Sequence, residues 1–488
     1  MRSLTMPGVA ASKPARRHDG FAHAIDPARV PIAVVDLDVD EERLRAVGGG
    51  ALELPLASGD VMALVRRHGR PVGLLFASVS GSPDAGAELA ALARRMFRAA
   101  IARHDAADLR SEPVQPWDVA EDTPGPGCAI RRARSLASPP LISVAVATRE
   151  RTTELARCLD SLLRMSFPAF EIIVVDNAPA TDDTARLVHE RYGDRVVYLR
   201  EPVRGLASAH NRALTAAGGD FIAFTDDDVV VDPQWLAAIA EAFADSPGAG
   251  CVTGLILPAR LETAAQAMLE RRGGFGKGFE RVEQSLATPG AHPLFPFTAG
   301  RLGSGANMAF SARALREIGG FDPATGTGTK ARGGDDLLAF FRTAVAGWSV
   351  VYQPDALVWH HHREEQAALA RQAWGYGVGL GAYLTAALVH EPRMLAPLLR
   401  RLPRGIAYAA QNSRPDTAEP GAWPAHLARR ERLGLAAGPV AYALSRRRLK
   451  AVLAAGSTGS AASAGSAGSA GSAATAAESA GAGGRGDA

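Results

Sequence analysis

Short apolar segments alternate with segments of helical spacing through the middle of the chain. The apolar segments, which predict strands, are residues 142–147, 171–175, 196–199 and 221–225. Between them, apolar residues recur at intervals of three and four, which predicts helices over residues 152–163, 184–192 and 207–217. Because the connections are short, the pattern predicts an α/β fold with a mainly parallel sheet and flanking helices. Ligands bind such sheets beyond the carboxyl ends of the strands.

The segments on either side have different patterns and predict further units. Residues 1–28 are polar and residues 111–138 are rich in proline and charge, which predicts a disordered N-terminus and a linker. Residues 29–110 contain apolar segments and one helical spacing, which predicts a small N-terminal α/β domain. The other predicted boundaries are 139–365 for the main α/β domain, 366–453 for a helical C-terminal extension and 454–488 for a disordered tail rich in Gly, Ser and Ala.

Composition narrows the choice of protein class. The chain has 488 residues, of which 47% are apolar and 22% charged, and its net charge of +3 includes no long basic run, so nucleic acid is not an expected partner. Cys128, Cys158 and Cys251 lie outside any C-x-x-C spacing and are expected to be buried thiols in a reducing compartment. The N-terminus has no apolar segment after its basic residues, and no apolar run reaches about 18 residues, so a cytoplasmic location is expected.

Two basic and apolar stretches, MLAPLLRRLPRGIAYAA and AYALSRRRLKAVLAA, lie in the predicted C-terminal extension. A basic amphipathic helix can lie on an anionic membrane surface. The alternative is a helical appendage that packs on the main domain. The pattern therefore leaves open a peripheral contact with the inner face of the plasma membrane.

Three consecutive carboxylates, Asp226, Asp227 and Asp228, follow the predicted strand at 221–225. Each carboxylate raises the pKa of the next, and a divalent cation removes that conflict. Oxygen ligands suit Mg²⁺ or Mn²⁺, and either ion can also bind the phosphates of a nucleotide. The triplet predicts a divalent-metal site at the edge of the sheet, and a solvated acidic loop is the alternative.

Polar residues also follow the first two predicted strands. Thr148, Arg149 and Glu150 come after the first strand and could bind a nucleotide, although such residues also cap helices. Asp176 comes after the second strand and could accept hydrogen bonds from a base or a ribose, as the strand-end acid of dinucleotide folds does. The alternative for Asp176 is an Asp-Asn turn before a proline.

Two further groups of polar residues lie later in the main domain. Asp335 and Asp336 follow two glycines and open a predicted helix, where the helix dipole favours carboxylates. That helix start is itself an alternative explanation for the two acids. His360, His361 and His362 end another apolar segment. Neighbouring side chains in a strand face opposite ways, so at most two of these histidines could meet a metal.

These pieces, in this order, resemble the GT-A fold glycosyltransferases of family 2. The resemblance covers residues 141–363, somewhat under half of the chain. The matching segments are VATRER, IIVVDNAP, VRGLASAHNRAL, FTDDDV, GSGANMAFSARALREIGGFD, GGDD and the P-x-A-x-V-W-H segment that begins at Pro354. Each is a weak signal alone, and the ordered set of seven carries the resemblance. It implies an enzyme that transfers a sugar from a nucleotide sugar.

The resemblance also implies roles for individual residues. It implies that Asp228, with Asp226 and His360, binds Mn²⁺ or Mg²⁺. It implies that Asp336 is the catalytic base, with Asp335 at the position where the family more often has Glu. The residues that it implies for the nucleotide sugar are Thr148, Arg149, Glu150, Asp176, Arg204, Asp226, Asp227, Gly305, Ala306 and Asn307, of which the last three would line the sugar pocket.

The implied reaction is a direct displacement with inversion at the anomeric carbon, in which the base takes the proton of an acceptor hydroxyl. The Q-x-x-R-W motif of processive relatives is absent, so a single transfer is expected, in cell-surface glycan, glycolipid or secondary-metabolite synthesis. The chain departs from the family pattern at His210, where relatives often have Arg, and at Leu338, where a further acid is common. The change at His210 could alter the phosphate or sugar contacts.

Two other functions remain open. A nucleotidyltransferase also joins an α/β nucleotide fold to acidic metal ligands, but it would usually need a glycine-rich basic loop after the first strand, and VATRERTTE has no glycine. A catalytically degenerate relative would bind the nucleotide sugar without transferring it. The donor base, the donor sugar and the acceptor depend on residues 255–302, whose sequence has no pattern that identifies them.

Overall fold

Apolar segments form two sheets in the computed structural model, which describes residues 25–50, 52, 56, 58–109, 126–287, 292, 294–412 and 423–470. The first sheet contains β1 (Ile32–Asp38), β2 (Arg43–Arg45), β3 (Gly59–Arg67) and β4 (Arg70–Val79), in the order β2-β1-β3-β4. β1 and β3 are parallel, and the other neighbours are antiparallel. The helices α1 (Ala85–Met96) and α2 (Arg98–Leu109) follow, and α1 buries Leu89 and Ala93 against the sheet.

The second sheet is larger and carries apolar cores on both faces. Its strands are β5 (Ile142–Thr148), β6 (Phe170–Asn177), β7 (Val197–Glu201), β8 (Phe221–Asp226), β9 (Val229–Val231), β10 (Ala249–Pro258), β11 (Val282–Gln284), β12 (Asn307–Ser311) and β13 (Ser349–His360). Their order is β11-β13-β10-β12-β8-β5-β6-β7, and β9 pairs with β13. The half β8-β5-β6-β7 is parallel, whereas β9, β11 and β12 run antiparallel to their neighbours. The predicted α/β class is confirmed, and the sheet is mixed instead of mainly parallel.

Helices cover this sheet and extend beyond it. They are α3 (Gly127–Ser135), α4 (Thr152–Leu162), α5 (Asp183–Leu187), α6 (Leu206–Ala216), α7 (Trp235–Asp245), α8 (Ala264–Arg271), α9 (Ala312–Glu317), α10 (Asp335–Val345), α11 (Gln366–His390), α12 (Leu395–Asn412) and α13 (Ala425–Ala470). The predicted helix at 184–192 divides into α5 and a π-helical turn, Val188–Tyr192. In β6, Ile172 and Ile173 pack into different cores, because side chains alternate across a strand. Strands buried on both faces produce the continuous apolar segments of the sequence.

Three predicted boundary segments differ in the structure. The predicted disordered N-terminus includes Ile25, which is buried in an apolar cluster. The predicted linker contains the helix α3, on which Cys128 is buried. The last helix, α13, continues into the predicted tail, since alanine has the highest helix propensity. The rest of these three predictions falls on residues 1–24, 110–125 and 471–488, which lie outside the described residues.

The first sheet shares an apolar core with the second. Met62 and Leu64 of β3 belong to the same buried cluster as Trp359 of β13. The backbone N–H of Ile32 donates to the carbonyl oxygen of Leu261 over 2.8 Å, which joins the two units through their main chains. The predicted small N-terminal unit is therefore packed against the main domain.

Buried ion pairs cross the same boundary. The guanidinium of Arg66 in β3 donates to Asp36 of β1 over 2.7 Å and to Asp232, which follows β9, over 2.6 Å. Arg70 of β4 donates to Glu241 of α7 over 2.7 Å. Burial makes such charges costly to leave unpaired, so these contacts favour one orientation of the two sheets.

Four glycines bring α11 and α13 into backbone contact. Gly377 and Gly381 of α11 face Gly434 and Gly438 of α13. A Cβ at residue 381 would lie 2.3 Å from the carbonyl oxygen of Leu435. Residues four apart lie on one face of a helix, and the distance between helix axes depends on the side chains at the contact. The glycines thus allow a closer approach than any other residue would.

The helix α11 also contacts the turn before α10. Gly334, at the N-terminus of α10, has a φ of 86°, in the left-handed region that favours glycine. A Cβ at this position would lie 2.6 Å from the carbonyl oxygen of Gly379 in α11. The close contact with α11 therefore lies directly before Asp335 and Asp336, the first two residues of α10.

Candidate active site

Three potential metal ligands meet at the ends of β8 and β13. β8 ends at Asp226, and Asp228 lies in the turn that leads to β9. His360 is the last residue of β13 and is paired with Val229 of β9. One ligand atom from each of Asp226, Asp228 and His360 lies within 4.8 Å of the other two. The structure thus brings together the three residues that were predicted to bind a metal.

Asp227 faces away from this cluster, because successive side chains in an extended segment point in opposite directions. Its carboxylate accepts hydrogen bonds from the hydroxyl of Thr148 over 2.7 Å and from Arg151 over 2.5 Å. Arg151 also donates to Asp228 over 3.1 Å. Thr148 and Asp227 are both buried and bonded to each other, and their contacts with a nucleotide sugar stay a prediction. Arg151 supplies the countercharge to the triplet, a role that its sequence position does not predict.

The three carboxylates of the triplet differ in charge state. Burial and the charge of Asp228 raise the pKa of Asp226 to about 6. Burial raises the pKa of Asp227 to about 7, although Arg151 opposes that rise. Burial also acts against ionisation of Asp228, but His360 and Arg151 hold the pKa of this carboxyl well below its ordinary value. Asp228 is therefore the member of the triplet that is most firmly ionised.

The cluster has the donor set of a divalent-cation site. Oδ1 of Asp228 is buried, accepts no hydrogen bond from the described part of the chain, and lies 3.3 Å from Nε2 of His360. The other ring nitrogen of His360, Nδ1, lies 2.9 Å from Nδ1 of His362, whose Nε2 lies 2.6 Å from Glu270. Such contacts orient a histidine ligand in metal sites. Two carboxylates and one imidazole fit Mn²⁺ or Mg²⁺.

Asp336, at the start of α10, lies beside the metal cluster. Its carboxylate accepts hydrogen bonds from the backbone N–H groups of Gly305 over 2.9 Å and Leu337 over 2.8 Å. Burial raises the pKa of Asp336. Gly305 lies two residues before Asn307, which pairs with Thr225 of β8, and β8 ends at Asp226. The residue predicted to be the catalytic base is thus held at the end of β8 that carries a predicted metal ligand.

Asp335 turns inward and forms a buried pair with His210. Oδ2 of Asp335 lies 3.6 Å from Nδ1 of His210, and neither atom has a hydrogen-bond partner among the described residues. Burial raises the pKa of Asp335 to about 8 and lowers the pKa of His210 to about 3. The ring of His210 contacts those of Phe224 and Phe321. Both side chains are buried, so the catalytic role predicted for Asp335 stays a prediction, as does an effect of His210 on the phosphate or sugar contacts.

Asp176 has an unused acceptor at the carboxyl end of β6. The residue is buried, and the hydroxyl of Tyr198 donates to its Oδ2 over 2.9 Å. No described residue donates a hydrogen bond to its Oδ1. Burial raises the pKa of this carboxyl. Buried acceptors without a protein partner are unusual and often have a functional explanation, and a nucleoside would provide the missing donor.

Glu150 and Arg149 contact the loop after β6. The carboxylate of Glu150 accepts hydrogen bonds from the backbone N–H groups of Ala180 over 2.6 Å and Thr181 over 3.2 Å. These bonds hold the pKa of Glu150 below its ordinary value. Nε of Arg149 donates to the carbonyl oxygen of Ala178 over 3.1 Å. Both side chains therefore shape the loop that follows Asp176, and their contact with a nucleotide stays a prediction.

Asn307 is buried in the core, whereas the family resemblance implied a position in the sugar pocket. Its amide nitrogen donates to the carbonyl oxygens of Leu255 over 3.0 Å and Ala356 over 2.7 Å. Its amide oxygen accepts from the indole N–H of Trp235 over 2.9 Å. These bonds occupy both ends of the amide, so Asn307 connects β10, β12, β13 and α7.

The other predicted sugar contacts have different surroundings. Gly305 reaches Asp336 through its backbone N–H. Ala306 is buried, and its carbonyl oxygen accepts a hydrogen bond from the Thr225 hydroxyl over 2.9 Å. Arg204 is exposed just before α6. Of these residues, Gly305 is the one in direct contact with the predicted base.

Lys277 is a charged residue of the site that the motifs do not predict. Its positive charge opposes the rise in the pKa of Asp336, which burial causes. Burial lowers the pKa of Lys277 itself. Lys277 belongs to the segment GGFGKGF, and a single cation among glycines is the signal by which the sequence could have indicated it.

The residues of this site lie in a segment that matches a known protein family. A model of the family described as glycosyltransferase like family 2 matches residues 139–377. A glucosyl-dolichyl phosphate glucuronosyltransferase from Haloferax volcanii is 23% identical over 239 residues, which are 45% of this chain and 68% of that protein. A pre-mycofactocin glycosyltransferase from Mycobacterium tuberculosis is 27% identical over 260 residues, which are 53% of this chain and 50% of that protein. The chain therefore spans about two thirds of the first relative and half of the second.

A solved structure is also similar. It is a mannosyltransferase from Pyrobaculum calidifontis in complex with GDP-Man and Mn2+, with a TM-score of 0.41 and 22% identity, over 75% of this chain and 90% of that chain. The segment that matches the family contains all three residues of the predicted metal cluster and Asp336. Through residues 139–377, the chain belongs to the family 2 glycosyltransferases.

Proposed function

We propose that this enzyme transfers one sugar from a nucleoside-diphosphate sugar to an acceptor hydroxyl, with inversion and with a divalent cation. The observation that carries the proposal is the proximity of two groups of residues. Asp226, Asp228 and His360 form a cluster suited to a cation, and the carboxylate of Asp336 is bonded to Gly305, just before the strand that pairs with the end of β8. A cation site for a diphosphate and a general base are the two elements that such a transfer requires.

The donor would lie along the carboxyl ends of the parallel strands. Oδ1 of Asp176 would accept a hydrogen bond from the nucleoside, because it has no partner among the described residues. Asp226, Asp228 and His360 would hold Mn²⁺ or Mg²⁺, which neutralises a diphosphate when it is bound. Arg151 would keep Asp227 and Asp228 in place through the hydrogen bonds that it donates.

Asp336 would accept the proton of the acceptor hydroxyl. The N–H groups of Gly305 and Leu337 hold its two oxygens in a defined orientation. A carboxylate with a raised pKa takes up a proton more readily near neutral pH than an ordinary one does. Lys277 lies near enough to affect the pKa of Asp336 and would limit the rise, so that the base is ionised when the acceptor binds.

The class of acceptor is proposed from a relative of the chain. One relative is named for a lipid-linked sugar, glucosyl-dolichyl phosphate, which agrees with a glycolipid acceptor. A cell-surface glycan or a secondary metabolite is equally compatible with a single transfer. A screen of nucleotide sugars would identify both the base and the sugar of the donor.

A peripheral membrane contact is part of the proposal. Leu395 and Leu399 of α12 are 48% and 56% exposed, and Arg400 is exposed beside them. Exposed leucines next to basic residues suit an anionic bilayer surface, and such a contact would place the enzyme at the inner face of the plasma membrane. Across the described ranges, no helix is both long and apolar enough to cross a bilayer. Sedimentation with anionic and neutral vesicles tests the contact, and binding to neither would contradict it.

The test of function combines a donor screen with two substitutions. UDP-, GDP- and dTDP-sugars are screened with Mn²⁺ or Mg²⁺ for transfer and for binding by calorimetry. We expect Asp228→Asn to lose metal-dependent binding and transfer. We expect Asp336→Asn to keep the binding but to lose transfer by at least about 100-fold, the usual range for a general base.

Controls separate this mechanism from its alternatives. Asp194→Asn changes an exposed carboxylate far from the cluster in sequence and should behave as the unmodified enzyme. Full activity of Asp336→Asn would reject the base assignment. Binding of a donor without transfer or slow hydrolysis would indicate a degenerate binding protein, and transfer of a nucleotidyl group would indicate a nucleotidyltransferase.

A further inference from the structure

A second cluster of potential metal ligands lies between the first sheet and α3, far from the proposed donor site in the sequence. It contains His68 in the turn between β3 and β4, His104 and Asp108 on α2, and Cys128 on α3. Each residue offers one ligand atom, and the four atoms all lie within 4.8 Å of one another. Neither the family match nor the proposed reaction uses any of these residues, because all four precede residue 139.

The distances within this cluster match a tetrahedral metal site. Nδ1 of His68 lies 3.0 Å from Oδ2 of Asp108, 3.2 Å from Nε2 of His104 and 3.8 Å from Sγ of Cys128. Nε2 of His104 lies 3.5 Å from Oδ2 of Asp108. Tetrahedral zinc bonds of about 2.0 to 2.3 Å place neighbouring ligand atoms roughly 3.3 to 3.8 Å apart. The shortest distance in the cluster, 3.0 Å, lies just below this range, so a small shift of the side chains would place the four atoms around one Zn²⁺.

Surrounding contacts orient the ligands. Arg131 contacts Oδ1 of Asp108 at 3.3 Å, so Oδ2 is the oxygen that faces the histidines. His104 and Asp108 are four residues apart on α2 and therefore lie on the same face of the helix. In metal sites, neighbouring residues commonly orient the ligands in this way.

The turn that carries His68 places its side chain in the cluster. His68 and Gly69 have φ values of 51° and 74°, and they form the two-residue turn between β3 and β4. Positive φ at both positions is the geometry of a type I′ turn, in which Asn-Gly is common and His is among the residues that adopt positive φ. From this turn, Nδ1 of His68 lies 3.0 Å from Oδ2 of Asp108 and 3.8 Å from Sγ of Cys128.

We propose that His68, His104, Asp108 and Cys128 bind a structural Zn²⁺. A thiolate and two imidazoles favour zinc over Mg²⁺ or Mn²⁺, which prefer oxygen ligands. The side chains of His68, His104 and Asp108 are 21%, 14% and 9% exposed, and Cys128 is 1% exposed, so the four ligands enclose the ion as in structural sites.

The ion would connect the first sheet to the glycosyltransferase domain. His68 belongs to the first sheet, whereas Cys128 lies on α3. On the same helix, Arg132 donates to Glu241 of α7 over 3.0 Å and lies 3.4 Å from Asp355 of β13. One ion thus joins the β3–β4 turn, α2 and α3, and α3 in turn contacts the second sheet and its helices.

Metal content is the first test, on the full chain produced with zinc in the medium. We expect about one zinc per chain after washing with excess Mg²⁺. Asp228→Asn should keep this zinc, since it changes the proposed donor site alone. Cys128→Ser should lose it, whereas Cys251→Ser, which changes a buried cysteine in a different core, should keep it.

Cobalt provides a spectroscopic signature of the thiolate ligand. The cobalt-loaded chain should show a thiolate charge-transfer band and the visible bands of tetrahedral Co²⁺, which Cys251→Ser retains and Cys128→Ser lacks. A chelator should lower the melting temperature of Asp228→Asn and leave that of Cys128→Ser unchanged. An unmodified chain without stoichiometric zinc and without the cobalt band would overturn the proposal, as would retention of both in Cys128→Ser.

Discussion

Asp335 illustrates, at the scale of a residue, how burial changes a titratable group. Its carboxyl lies 3.6 Å from His210 in a pocket bounded by aromatic rings, and burial raises its pKa to about 8. At neutral pH the group is therefore mostly protonated in the folded state, whereas it is ionised in the unfolded chain. Between about pH 4 and pH 8 the folded state holds a proton that the unfolded state releases, so the contribution of Asp335 to stability falls as pH rises.

The substitution Asp335→Asn should remove this dependence, because an amide cannot ionise. We expect the free energy of unfolding of Asp335→Asn, relative to the unmodified protein, to increase with pH from 5 to 8 by at most about 1.4 kcal/mol per pH unit. Urea unfolding at several pH values measures the difference. Asp194→Asn, at an exposed position, should show no such trend. A difference for Asp335→Asn that does not change with pH would contradict the raised pKa.

Some residues of the site could be predicted from the sequence, whereas others depend on contacts between segments that are far apart in the chain. The carboxylate triplet after an apolar strand predicted a metal site, and the family resemblance implied Asp226, Asp228 and His360 as its ligands, which lie together in the structure. Asn307 was placed in the sugar pocket, but its amide is bonded to backbone carbonyls about 50 residues away, which no local pattern contains. The same holds for His68, whose partners in the proposed zinc site come from other elements.

At the scale of elements, the contact between α11 and α13 depends on glycine. The Cβ that glycine lacks would lie 2.0 Å from the carbonyl oxygen of Glu431 at residue 377 and 2.3 Å from that of Leu435 at residue 381. Since backbone atoms cannot move aside as side chains do, a methyl group at either site has to separate the helices. The separation would also reach Gly379, which contacts the turn before Asp336.

We expect Gly381→Ala to lower the free energy of unfolding by about 1 to 3 kcal/mol, as overpacking usually does, and to lower kcat. The matched control is Gly375→Ala on the same helix, because a Cβ there meets no atom within 4 Å. That control should be neutral or stabilise the protein by up to about 1 kcal/mol, since alanine favours helices. Thermal unfolding and transfer rates measure both variants. Equal stability of the two variants would show that the helices tolerate separation.

The four parallel strands β5, β6, β7 and β8 were predicted to within two residues, whereas the helix pairing was not. Strands such as β5 and β6 are buried on both faces and produce continuous apolar segments. The contact of α11 with α13 uses residues without a side chain, which leave no apolar pattern, and its partners are more than 50 residues apart. Regular spacing of Gly377 with Gly381, and of Gly434 with Gly438, was the available signal.

At the scale of the whole molecule, Arg66 connects the two sheets. Its guanidinium contacts Asp36 at 2.7 Å and Asp232 at 2.6 Å, and all three side chains are buried. We expect Arg66→Ala to lower the free energy of unfolding by about 3 to 5 kcal/mol, because it leaves two buried carboxylates without a countercharge. Urea unfolding, followed by fluorescence and circular dichroism together, measures this change.

The matched control for that prediction is Arg45→Ala on the same sheet. Arg45 pairs with Glu41 at 2.8 Å, but the two side chains are 36% and 55% exposed. Exposed pairs contribute below about 1 kcal/mol, so this change should be small. Similar losses for Arg45→Ala and Arg66→Ala would mean that the buried ion pairs do not hold the sheets together.

The sequence predicted a separate N-terminal domain and did not predict its shared core. One signal was present in β3, where Met62 and Leu64 face one cluster while Ala63 and Val65 face another. A strand that is apolar at every position needs cover on both faces. The helix α1 covers one face of the sheet that contains β3. The sequence pattern does not identify the segment that covers the other face, because the hydrophobic effect is not specific for a partner.

The shared core also has a consequence during synthesis on the ribosome. The first sheet is complete at Val79, but Leu255 and Trp359, which pack against its second face, emerge about 180 and 280 residues later. At roughly 5 to 20 residues per second, the face formed by Met62 and Leu64 is incompletely covered for about 15 to 55 seconds. Nascent chains of this enzyme would therefore expose an apolar surface until β13 has been made, and N-terminal fragments that end before β10 would keep it exposed.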